Sequence, residues 1–129
     1  MKVAAILLGL LATQALAQPN MSSIEVPFEA MPHFQAYSAC IDQASNANPD
    51  RNNHDADKLR AVNTAAISAC AAKRQSELNA SIATIKAKGG CVWPEKRTVA
   101  QCIKMAETAF QRFDTDFAIV PNSTSILNQ

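Results

Sequence analysis

"ADKLRAVNTAAISACAAKRQSELNASIATIKAK", residues 56–88, decides the fold. Leu59, Val62, Ala66, Cys70, Leu78, Ile82 and Ile85 recur along it at spacings that place them on one helical face. Leu59 and Ile85 stand 26 residues apart, close to seven turns at about 3.6 residues per turn. Asp55 can cap the start, because its carboxylate accepts from an early backbone N–H. Gly89 and Gly90 suit the left-handed end, and Lys86 and Lys88 sit near its negative dipole. Lys73–Arg74 interrupts the stripe and marks the place for a kink or break. The stretch therefore predicts one long central helix.

Shorter helices flank it. Phe34, Tyr37, Ile41 and Ala44 predict a helix over 34–47, with Cys40 beside the stripe. "NANPDRNNHD" (46–55) then supplies turn formers. Thr98 with Gln101 fits a capping box. Val99, Cys102, Ala106, Phe110, Phe113 and Phe117, widened by Ile103 and Ala109, predict a helix over 98–118. Pro121 ends it, leaving a disordered tail over 121–129. Residues 18–33 carry three prolines and no period, which predicts an extended or disordered lead-in. The expected architecture is all-α: a helical domain over 34–120, in a small antiparallel three-helix arrangement around the long central helix.

The first 17 residues fit a secretory signal peptide. Lys2 precedes an apolar run over Val3–Ala12, and Ala15–Ala17 is a small-x-small cleavage site. The run is too short for a membrane span. These features predict a secreted or periplasmic chain of roughly 110 residues, enough for one modest core. Without Lys2 the basic residues fall from 12 to 11, matching the 11 acidic ones. That balance argues against nucleic-acid binding driven by net charge.

Four cysteines in a small exported chain predict two disulfides. Cys70 and Cys91 lie roughly 30 Å apart along a continuous helix, beyond the ~7 Å that a disulfide's Cα atoms allow. Excluding 70–91 removes 40–102 with it. Pairing 40 with 91 fails because the first helix returns along the wrong end of the central one. Cys40–Cys70 and Cys91–Cys102 remain. Between the second pair, "GGCVWPEKRTVAQC" (89–102) reads as a stapled turn, with Trp93–Pro94 as its apolar filling.

No catalytic constellation stands out. Near His54, "DRNNHDAD" (50–57) offers Asp50, Asn52, Asp55 and Asp57, but lacks the glycine and glutamate that a calcium loop needs. A solvated turn leading into the Asp55 cap is the simpler reading. His33 stands alone, and Asp114 and Asp116, two apart, face different ways at what reads as an exposed helix end. No enzyme, cofactor or metal site is expected. Lys86, Lys88, Lys96, Arg97 and Lys104 gather around the second turn as a candidate partner patch. Asn20, Asn79 and Asn122 open Asn-x-Ser/Thr triplets, glycan acceptors if the source is a eukaryote. The expected role is contact with an unidentified protein partner, inhibitor-like or structural, which calls for an exposed apolar patch. A carrier of a small apolar ligand is the alternative and calls for an enclosed pocket.

Overall fold

Pro27 and Pro32 set where the helices begin. The computed structural model describes residues 24–92 and 95–119. In it Pro27 caps a 3-10 turn over Phe28–Ala30, and Pro32 lies in the first turn of α1, Met31–Ala47. This corrects the expectation of an extended lead-in as far as His33: residues 28–33 are helical. Proline's fixed φ suits a first turn, where its missing N–H has no acceptor to lose. The segment is also anchored. Val26, Pro27 and Ala30 are buried, and the 3-10 turn packs against α3. The expected signal peptide and disordered tail, Trp93–Pro94, Asn20 and Asn122 lie outside the described residues.

Asn48 and Asn53 each accept a backbone bond two residues on, at 2.9 Å, shaping the loop after α1. Asp55 then caps α2, Ala56–Ala69, accepting from the N–H groups of Asp57 and Lys58 at 2.8 and 3.3 Å. Here the expected single helix divides. α3 runs Ala71–Lys88, and Cys70 between them holds φ −97° and ψ 10°, in the sparsely occupied bridge region. The three-helix arrangement is thus corrected to four packed helices. Helical bonding still crosses the break: Cys70 donates to Ala66, and Arg74 donates to Cys70. The interruption is one distorted residue, at the position tied to α1 through Cys40. It is not at Lys73–Arg74, because Arg74 turns inward and finds partners in the core.

Gly89 closes α3 in the left-handed region at φ 71°. α4, Val99–Ile119, opens on the capping box: Gln101 N–H donates to Thr98 Oγ1 at 3.2 Å, and Thr98 N–H donates to Gln101 Oε1 at 3.0 Å. The core lies between α1, α3 and α4. Tyr37, Phe110 and Phe113 are fully buried. Phe34 meets both phenylalanines edge-on at 5.5 and 5.4 Å, and Tyr37 stacks on Phe110 at 5.6 Å. Such ring pairs contribute about 0.5–1.5 kcal/mol each beyond area burial. Buried Ala66, Ala106 and Ala109 let the helices approach closely. Both expected disulfides form, with Cα–Cα distances of 6.0 Å for Cys40–Cys70 and 5.9 Å for Cys91–Cys102.

Candidate functional site

Three polar arrangements occur where the helices meet, and they differ in what they can reach. The first is internal. Asp114 accepts from the Tyr37 hydroxyl and from Arg74 Nε, the latter at 2.5 Å. The guanidinium of Arg74 also lies 5.9 Å from the centre of the Phe110 ring. Burial, and then the bond to Asp114, pushes the Tyr37 hydroxyl well above its ordinary range, so it stays a protonated donor. The network ties α1, α3 and α4 together. The fully buried phenol cannot meet a substrate, so this is a brace. Asp114 is therefore not the exposed helix end that its sequence neighbourhood implied.

The second arrangement joins α1 to α3. Glu77 accepts from His33 Nδ1 at 2.7 Å and from Lys73 Nζ at 2.8 Å. His33 does not stand alone. Bonds from Lys73 first and His33 second hold the Glu77 carboxyl below its ordinary value of 4.5. A depressed acid contributes stability that is present above its unfolded value and lost as pH falls through its folded one. Urea unfolding is therefore expected to shift to lower denaturant as pH drops from about 5 to 3, and Glu77→Gln should flatten that slope. An unchanged slope in the variant would show that the three-residue cluster contributes nothing to acid sensitivity.

The third arrangement opens outward. A groove of about 480 Å³ runs between the Ile24–Glu25 segment and one face of α4. Gln101, Lys104, Met105, Thr108, Ala109 and Arg112 line it at the three- and four-residue steps of a single helix face. Arg97 completes it from the turn before α4. That arginine is held in place twice over. Its backbone pairs with Cys91, N–H to O at 2.9 Å, and its guanidinium donates to Met105 Sδ at 3.1 Å. The staple Cys91–Cys102 fixes the turn that carries it. Glu95 comes to 4.0 Å of the same guanidinium from the exposed side.

The groove carries three cations, Arg97, Lys104 and Arg112, against one carboxylate, Glu25. Its floor holds the apolar atoms of Ile24, Met105 and Ala109. Of the residues gathered from sequence, Arg97 and Lys104 meet here. Lys86, Lys88 and Lys96 are exposed and do not line it. Arg112 and the Ile24–Glu25 side were missed. Arg112 could have been found from the step Lys104–Thr108–Arg112 along one face. The 24–25 side carries no local signal, since only tertiary packing brings it there.

His54 is exposed in its turn, and Asp55 serves as the cap. Asn79 is exposed on α3, whereas Ser81 of its triplet is fully buried and bonds the Glu77 carbonyl. The large apolar residues left exposed, Phe28, Val92 and Ile119, belong to three separate segments: the 3-10 turn, the loop after α3 and the end of α4. Among the described residues no group of His, Cys, Asp or Glu is placed to hold a metal ion. No helix among them is long and apolar enough to cross a membrane. Compared with known protein families, with curated proteins and with solved structures, the chain shows no match.

Proposed function

We propose that this is an exported, non-enzymatic helical protein that acts by contact with a protein partner, and that the groove along α4 is its contact face. The observation that carries the reading is the convergence of Arg97, Lys104 and Arg112 around an apolar floor. Cations around a small apolar centre combine electrostatic steering with a dry contact, and a protein partner uses both. The face differs from the exposed apolar patch that the contact role calls for: its recognition elements are mainly charged. Two disulfides support an oxidising compartment, secreted or periplasmic. The stapled body suits an inhibitor-like or structural role, since a pre-ordered surface loses little entropy on binding. The carrier alternative gains less support. An open, cation-lined groove is a poor seat for an apolar ligand, and the centre of the bundle is filled by rings.

The test is site-specific photo-crosslinking in native extract. A photo-reactive side chain at position 104 is expected to give one dominant protein adduct. The same group at the exposed Thr64, on α2, should not give it. Arg97→Glu combined with Arg112→Glu should abolish competition by unlabelled protein. Equal adducts from both positions, or none at 104, would overturn the assignment of the contact face.

A further inference from the structure

We propose that Met105 is a site of oxidation by peroxides, that Arg97 holds its sulfoxide, and that oxygen uptake there closes the groove to the partner. The modification site stands apart from the contact reading above; only its effect on the partner rests on it. All four cysteines are paired, so no thiol competes for the oxidant. The sulfur left to oxidise is that of the thioethers. Of the chain's four methionines, Met31 and Met105 lie among the described residues. Met31 packs against the core, whereas Met105 lines the open groove of about 480 Å³. A small oxidant arriving from water therefore meets Met105 first.

The partner of that sulfur carries the inference. Arg97 Nη1–H donates to Met105 Sδ at 3.1 Å. A thioether is a weak acceptor, and a guanidinium gains little from it. Oxidation makes the side chain polar, with an oxygen that accepts strongly. The donor already stands where the oxidised side chain needs it. Spare positive charge plays no part: Glu95 comes to 4.0 Å of Nη2, and Nη1 stays with the sulfur. The arginine also keeps its place when the sulfur changes, because its backbone pairs with Cys91 and the Cys91–Cys102 bond fixes the turn.

The same contact selects which side of the sulfur reacts. Arg97 covers one of its two lone pairs, so a peroxide meets the other. That pair attacks one peroxide oxygen, and the S–O bond forms as the O–O bond breaks. With hydrogen peroxide, the proton on the transferred oxygen passes to the departing one, which leaves as water. Sulfur is oxidised by two electrons and the peroxide is reduced by two. The product is chiral at sulfur, so one epimer is expected in excess. Methionine's unbranched side chain then lets the new oxygen turn toward Nη1. The fold survives, but the floor beside Ile24 and Ala109 turns polar and no longer offers a dry contact to an apolar side chain. A sulfoxide reductase reverses the step: two thiols take the oxygen off as water and become a disulfide.

The experiment treats the disulfide-bonded chain with dilute hydrogen peroxide and maps its peptides by mass spectrometry. Met105 is expected to gain one oxygen about tenfold faster than Met31. Epimer-specific reductases applied to the digest should find one epimer in excess at Met105. Chain oxidised in urea, or folded Arg97→Ala protein, should give the two epimers equally. Urea unfolding then reads the seat, with oxidised Met105→Leu protein giving the share of the other methionines. Oxidation should lower the midpoint further in Arg97→Ala than in the unsubstituted chain. Equal rates at Met105 and Met31, or equal epimers in the folded chain, would overturn the site. Equal midpoint shifts with and without Arg97 would overturn its role as the seat. The crosslink from position 104 is a separate readout, made by adding pre-oxidised protein to untreated extract. Loss of the adduct is expected, and an adduct that survives oxidation would overturn the closing of the groove. If the unoxidised chain gives no adduct, the contact reading falls, while the oxidation rates and the epimer ratio still decide the site.

Discussion

Asp114→Ala is expected to destabilise the protein by about 1.5–3 kcal/mol, the range for hydrogen bonds that involve a charged group. The carboxylate accepts from two donors on two other helices, the Tyr37 hydroxyl of α1 and Arg74 Nε of α3. Removing it leaves both without their acceptor. Tyr37 is 0% exposed, so water cannot replace the lost partner at its hydroxyl. Arg74 is 25% exposed along its side chain and can recover part of its hydration, which keeps the expected cost below that of a deeply buried ion pair. Raising the pH offers no escape, because the Tyr37 hydroxyl is held well above its ordinary range by burial and by Asp114. Asp114→Asn keeps one acceptor oxygen and should cost about half as much. The discriminating measurement is a double-mutant cycle in urea under oxidising conditions. Adding Tyr37→Phe to Asp114→Ala removes the stranded donor, and the two effects should fall short of additive by about 1 kcal/mol. Strict additivity would mean that the Tyr37–Asp114 bond contributes no stability.

This brace also shows which parts of the fold can be read from sequence. The helix ends were legible because capping is local. Asp55 needs only the next turn, Thr98 and Gln101 only each other, and Gly89 only its own φ. The aromatic face of α4 was legible because burial leaves a period. Both disulfides were legible by elimination, and the elimination survives the break at Cys70 because α2 and α3 still keep Cys70 and Cys91 at opposite ends of α3. Arg74 misled because a charged residue in an apolar stripe reads locally as an interruption. Its partner Asp114 lies 40 residues away, and no local pattern announces it. Pro27 and Pro32 misled in the other direction: a proline that ends a helix and one that begins a helix look alike until the packing of Val26 and Ala30 is known. The groove was half legible for the same reason. Grouping lysines and arginines by nearness to the turn found Arg97 and Lys104, but a helix sorts its residues by face, and that rule adds Arg112 from α4, whereas Lys86 and Lys88 belong to α3 and Lys96 to the loop before α4.

Gly90→Ala is expected to cost about 3 kcal/mol and to weaken the groove as well. Gly90 sits at φ 127°, where residues with a side chain are strained by about 1–3 kcal/mol. Space makes the position worse. A Cβ there would fall 2.3 Å from the Arg97 carbonyl oxygen and 3.5 Å from its carbon. The obstacle is backbone and cannot rotate aside, so the 90–97 turn has to open. Opening it strains the Arg97 N–H bond to the Cys91 carbonyl, worth about 1 kcal/mol. The neighbouring glycine is the internal control. Gly89 also has positive φ, at 71°, but a Cβ there meets nothing within 4 Å. Gly89→Ala should therefore cost only the left-handed penalty of about 1–2 kcal/mol. Thermal unfolding followed by circular dichroism measures the difference between the two variants, and equal losses would overturn the steric account. The functional half follows from Arg97. Its backbone is what the new methyl group displaces, and its guanidinium lines the groove beside Met105. Folded Gly90→Ala protein should thus lose the protein adduct formed from position 104, whereas folded Gly89→Ala protein keeps it, because only the first substitution moves a cation of the site.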